Sequence, residues 1–293
     1  GKVVVVMGDG EPMFGRNAED IAEISEISGQ LGLGEIVFTN GRCLTPARAQ
    51  EFASVNHDIS YVVNINSLDE QTYEATTGVP GSFQEVRANL SSLRGFFRAQ
   101  QESVSYGVSV RLAINTVLSA LNKNEVIALK GFAGDLGAAY ICTVPMEAGR
   151  AVVNEAILIP SDDRPQLEQL SEANSSTGGP TCKTIEGRCG YIPGYSLEGP
   201  HGKSDNEPGG IAIDITGVPR ACAYLLYGFP NLNLLNALEL DVATAKEALI
   251  MLQRKMEEII AGVFHKFGFH YCFMRHPRFP EIENWLIEKA KKG

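Results

Sequence analysis

The 293-residue sequence has no apolar run near the roughly 18 residues a membrane-crossing helix needs, and no charged start leading into a cleavable apolar segment. A spanning helix and a secretion leader are therefore not expected, and the cytoplasm is the expected compartment. Positive charge is also scarce: 25 Lys and Arg face 35 Asp and Glu, a formal net charge of −10. The longest basic cluster is the terminal Lys289-Ala290-Lys291-Lys292, too little for nucleic acid or an anionic membrane surface. Six cysteines are too few for a disulfide scaffold in a chain of this length, which leaves core thiols, reactive thiols or metal ligands. No initiator Met and no structural element precede the first strand, which begins directly after Gly1-Lys2; upstream sequence is expected to be missing.

With 44% hydrophobic and 20% charged residues, the chain has the composition of an ordinary globular protein. Val3-Val4-Val5-Val6 reads as a buried strand running into the polar turn Gly8-Asp9-Gly10-Glu11-Pro12. Ile21, Ile24, Ile27 and Leu31 then recur at helical spacing, with Asn17 as N-cap and Gly32 and Gly34 as stops. The unit repeats: a strand from Glu35 ends in Thr39-Asn40-Gly41, and Thr45-Pro46 opens a helix as N-cap and N1. Ile59 to Ile65 is a third strand, followed by an acidic turn and a helix from about Ser82 to Phe97. Tyr106 to Val117 is a fourth strand, Lys123 to Leu136 a helix, and Ala138 to Val144 a fifth strand stopped by Pro145. Five βα repeats predict a parallel sheet or barrel that works at its C-terminal strand ends.

The texture changes after about Gly149. Ser161 to Gly210 is rich in Gly, Pro, Ser and Asp and is expected to be loop. Beyond it lie a short strand from Gly210 to Ile215, a turn at Gly217, an amphipathic helix from Val242 to Phe264, and a final helix from Pro280 to Lys292 carrying the sole tryptophan, Trp285. The expected division is residues 1–149 and 150–293.

The succession of motifs is more specific than any one of them. Gly8-Asp9-Gly10-Glu11-Pro12, Thr39-Asn40-Gly41, Val63-Asn64-Ile65-Asn66 with Ser67-Leu68-Asp69 and Thr77-Gly78, and Val110-Arg111-Leu112-Ala113-Ile114-Asn115 with Asn122-Lys123-Asn124-Glu125 together resemble the partial (β/α) barrel of radical S-adenosylmethionine (SAM) enzymes. The resemblance implies an incomplete TIM-like α/β barrel over 1–149 that lacks its first unit. It also implies reductive cleavage of SAM at a 4Fe-4S cluster to a 5′-deoxyadenosyl radical, which abstracts hydrogen from a peptide or small-molecule substrate, with an electron donor such as flavodoxin or ferredoxin. Carried onto this chain, the SAM-binding residues are Gly8, Asp9, Gly10, Glu11 and Pro12 for the ammonium, with Thr39 at the next strand end. Asn64 and Asn66 stand where the family commonly has Ser and Asp on the ribose, Arg111 faces a carboxylate, Asn115 lies alongside, and Ile141 to Val144 flank the adenine. Taken alone, the glycine loop is equally a tight turn with a solvated Glu11, and Arg111 a barrel-edge ion pair.

The family's C-x3-C-x2-C cluster triplet is absent. Cys43 and Cys142 read as small core residues. Gly217-Val218-Pro219-Arg220-Ala221-Cys222 after a strand resembles the start of a SPASM or twitch extension, which implies an auxiliary 4Fe-4S cluster on Cys182, Cys189, Cys222 and Cys272. Zinc on the same cysteines, or with His201 replacing Cys272, and unligated thiols are the alternatives. His265, His270 and His276 are spaced unlike a helical ligand face. Two other functions stand beside the enzyme: a non-catalytic metal-binding scaffold on the same barrel, and an iron-free lyase or isomerase using Glu11 and Arg111 on a small anion.

Overall fold

The computed structural model describes residues 3–6, 10–102, 111–143 and 163–174, with short stretches at 195–196, 199–200, 212–213, 219–220, 262–263, 265–267, 281–282, 284–285 and 288. The chain divides into two compact units, Gly1–Pro145 with Asn154–Thr177, and Met146–Val153 with Gly178–Gly293.

The first unit alternates strand and helix: β1 (Val3–Val6), α1 (Asn17–Gln30), β2 (Gly34–Thr39), α2 (Pro46–Val55), β3 (Ile59–Asn64), α3 (Glu70–Thr77), α4 (Ser82–Glu102), β4 (Arg111–Val117), α5 (Val126–Leu136), β5 (Ala139–Thr143) and α6 (Arg164–Asn174). The five strands pair in parallel in chain order, β1-β2-β3-β4-β5, and β1 and β5 are not joined to each other. The fold is thus mixed α/β with an open five-stranded parallel sheet. Such a sheet needs helical cover, and one face receives it: Val37, Tyr61, Val63, Leu112, Ile114, Tyr140 and Cys142 share one buried cluster with Phe52 of α2, Leu90, Leu93 and Phe97 of α4, and Leu129 of α5. Alternation puts Val62, Asn64, Ala113, Asn115, Ile141 and Thr143 on the other face. Val62 and Ile141 are buried there, outside that cluster.

Several sequence expectations change. The opening strand is not buried: Val3 is 51% and Val5 45% exposed, because β1 is an edge strand with a single partner. Asn17 is the first residue of α1 rather than its cap, and its Nδ2 instead donates to Glu11 O at 3.1 Å. Thr45 and Pro46 behave as expected, the Thr45 hydroxyl accepting from Arg48 N. The unanticipated α3 has only Tyr73 buried, so no apolar period betrays it; the Asp69 carboxylate caps it by accepting from Thr72 N at 2.8 Å. The other unanticipated helix, α6, lies inside the tract expected to be loop, and buries Leu167, Ser171 and Asn174 at spacings of four and three. Residues 103–110, where the fourth strand was expected to begin, lie outside the described residues.

In the second unit, Ala212–Ile213 pairs antiparallel with Pro219–Arg220, and Tyr195–Ser196 pairs antiparallel with Gly199–Pro200; Gly217, where a turn is expected, lies outside the described residues. Residues 262–263, 265–267, 281–282, 284–285 and 288 are helical. Phe267 and Trp285 meet edge to face at 5.9 Å, with Lys266 Nζ over both rings.

Candidate functional site

Parallel strands present their C-terminal ends along one edge, and the loop after β1 folds back onto the end of β2. Glu11 is what attaches it. Its Oε1 accepts from Met13 N at 3.1 Å and from the Thr39 hydroxyl at 2.5 Å, and its Oε2 accepts from Asn40 N at 2.6 Å. Pro12 presets the turn closed by Phe14 N donating to Glu11 O. Thr39, buried at the strand end, also accepts from Gly41 N at 3.0 Å. Gly41 adopts φ +80°, and a Cβ there would lie 2.7 Å from Val63 Cγ1, so the turn requires glycine. Glu11 is therefore not a free surface charge: its half-buried carboxylate braces the loop. A Cβ on Gly10 would meet nothing within 4 Å among the described residues, so no described packing contact demands glycine at that position. Gly8 and Asp9 lie outside the described residues.

Next along the edge, Asn64 and Asn115 are register partners on β3 and β4, and Asn115 Nδ2 donates to Asn64 Oδ1 at 2.7 Å. Asn115 is only 6% exposed, and its Oδ1 is buried without a hydrogen-bond partner. A buried amide oxygen left unpaired carries a desolvation cost that a ligand donor can relieve. Asn66 turns to the neighbouring strand, its Oδ1 accepting from Val117 N at 3.0 Å. The segment after β3 is then held by four side chains that sequence reasoning did not single out. The Thr116 hydroxyl donates to Ile65 O, and Asn122 Nδ2 donates to Asn66 O and Val117 O. The Glu125 carboxylate accepts from the Ser67 hydroxyl at 2.7 Å and Leu68 N at 2.8 Å. Ser67, Asn122 and Glu125 lie within the quoted motif stretches, but nothing in the sequence pairs Ser67 with a residue 58 positions away.

Arg111 does not join this group. It opens β4 at the opposite edge of the sheet, about 13 Å from Asn115 at the usual rise per residue. It is exposed and stands 3.9 Å from Asp58, which precedes β3. Arg111 thus lies beside Asp58 rather than with the strand-end polar group, and Glu11 and Arg111 do not converge on one small anion. Glu35 is a further buried acid, near the start of β2; burial raises its pKa, and the hydrogen bond that Asn56 Nδ2 donates to its Oε2 lowers it in part.

Among the described residues no three His, Cys, Asp or Glu side chains converge as a metal site. Cys43 and Cys142 are not disulfide-bonded, and burial followed by the nearby Glu11 charge pushes the Cys43 thiol up, away from thiolate character. Val144, Cys182, Cys189, Cys222 and Cys272 lie outside the described residues. No described helix is long and apolar enough to cross a membrane.

No family model matches the chain. It is 26% identical over 138 residues, 47% of its own length, to the AdoMet-dependent heme synthase of Methanosarcina barkeri (strain Fusaro / DSM 804), and the match spans 35% of that relative. The chain therefore covers about a third of that protein. This likeness to an AdoMet-dependent enzyme supports the radical SAM resemblance carried by the strand-end motifs. Among solved structures, native anSMEcpe with bound AdoMet and Kp18Cys peptide aligns over 86% of this chain and 70% of its own with a TM-score of 0.45. The same protein with Cp18Cys peptide aligns over 99% and 83% with a TM-score of 0.47. Both are 13% identical to this chain, too distant to bear on residue roles.

Proposed function

We propose that the chain is a radical SAM enzyme, or the larger part of one, with SAM seated along the C-terminal edge of β1 to β5. The observation that carries this reading is the unpaired, buried Asn115 Oδ1 beside Asn64, at the edge where the Glu11 loop also ends. An amide oxygen accepts from a hydroxyl or an amine, and the neighbouring Asn64 Nδ2 donates, a combination suited to a sugar diol. The open space at Gly10 lets a ligand approach the loop's backbone, whose carbonyls supply acceptors for an ammonium group. Glu11 contributes by holding that backbone in place rather than by offering its carboxylate.

SAM reduced at a 4Fe-4S cluster would supply the hydrogen-abstracting 5′-deoxyadenosyl radical. The described residues offer no seat for such a cluster. Cys182, Cys189, Cys222 and Cys272 are proposed ligands of an auxiliary cluster in a C-terminal module that follows the barrel, and the substrate is proposed to be a peptide or small molecule. The separation of Glu11 from Arg111 disfavours the lyase reading.

Equilibrium dialysis with SAM tests the seat: binding to the wild-type chain is expected, with about a tenfold loss in Asn115→Leu, the equivalent of one hydrogen bond. Equal binding by both proteins, or none by the wild type, refutes it. Anaerobic reconstitution with iron and sulfide, followed by assay for 5′-deoxyadenosine, tests the chemistry; this chain alone is expected to give no turnover. A colourless protein with stoichiometric zinc would favour the non-catalytic scaffold.

A further inference from the structure

Past Asn64 the β3 backbone leaves the ladder, yet each of the next four residues keeps a polar partner from the segment running from β4 to α5. Ile65 N donates to Asn115 O and Ile65 O accepts from Thr116; Asn66 O accepts from Asn122; the Ser67 hydroxyl and Leu68 N both donate to Glu125. Side chains thus extend the sheet beyond its last backbone pairing. Glu125 is the charged member among these partners, and it stands at the far end, where no other group among the described residues takes the Leu68 amide. It occupies the N-cap position of α5 but does not cap its own helix; its carboxylate reaches across to the other loop. Ser67 is also fixed from its own side, its hydroxyl oxygen accepting from Asp69 N at 3.0 Å, so the clamp reaches the cap residue of α3.

From this geometry we infer that Glu125 is a positioning residue for the proposed SAM seat: it holds the loop 65–68 against α5, so that Asn64 and Asn66 stay in register with Asn115 and Val117. The inference rests on the SAM reading, but the clamp has a readout of its own. Glu125→Gln retains one acceptor oxygen for two donors, and Glu125→Ala retains none. The expected result in the full chain is a SAM dissociation constant raised about threefold in Glu125→Gln and at least about tenfold in Glu125→Ala, in line with the loss of charge-assisted hydrogen bonds. Val126→Ala, in the adjacent buried position, lowers stability through the core and should leave the constant unchanged, which separates positioning from general destabilisation. Amide hydrogen exchange at Leu68 is read in parallel without ligand and should accelerate in both Glu125 variants. Unchanged exchange at Leu68 overturns the clamp. Accelerated exchange with an unchanged dissociation constant overturns its role in positioning, and a wild-type chain that takes up no SAM overturns the seat on which that role depends.

Discussion

Replacing Glu11 by Gln preserves the size of the side chain and removes only its ability to accept at both ends. In the wild type three donors converge on the carboxylate: Met13 N and the Thr39 hydroxyl on Oε1, and Asn40 N on Oε2. With the amide nitrogen at the Oε2 position, it opposes the Asn40 N–H. With the amide flipped, it opposes Met13 N–H and forces the Thr39 hydroxyl to turn, although that oxygen already accepts from Gly41 N. Each orientation leaves a donor facing a donor in a part-buried site, so the expected cost is about 1–3 kcal/mol. In a unit of this size that lowers Tm by about 2–4 °C per kcal/mol. Thermal and urea unfolding measure the loss, and hydrogen exchange at Asn40 locates it. A Glu11→Gln protein with wild-type stability and unchanged exchange at Asn40 would refute the brace and return Glu11 to the role of a free negative charge.

Gly41→Ala forces a Cβ into Val63 at a backbone angle that L side chains rarely adopt, so a loss of at least about 2 kcal/mol is expected in urea unfolding. Asn115→Leu removes a buried orphan acceptor and should change stability by less than about 1 kcal/mol while weakening SAM binding; a large stability loss would mean that the Asn64 pairing matters more than the ligand. Burial raises the folded-state pKa of Glu35 above its unfolded value, so the folded state binds the extra proton. The resulting stability is present at acid pH and is lost as pH rises through the folded pKa. Glu35→Gln should therefore flatten the decline of Tm between acid and neutral pH; an identical decline in that variant sinks the assignment. Cys222→Ser should abolish any absorbance near 400 nm after reconstitution, roughly where sulfide-to-iron bands fall, and unchanged colour and iron content would remove Cys222 from the auxiliary cluster.

The sequence by itself determined the alternation of strands and helices in the first unit, the parallel sheet and the edge on which Glu11, Thr39, Asn64, Asn66 and Asn115 gather. These follow from local signals: β-branched runs, helical apolar spacing, and the Thr45-Pro46 start. The two unanticipated helices mark the limit of such signals, because α3 buries a single side chain and α6 uses Ser171 and Asn174 as buried positions. Tertiary structure alone decided what each polar residue does. It made Glu11 a brace, sent Arg111 to the far edge with Asp58, and brought Glu125 to Ser67 across 58 residues. Register decided these outcomes: a hydrogen bond depends on which residues face each other across paired strands, and no local pattern in a single sequence encodes that opposition.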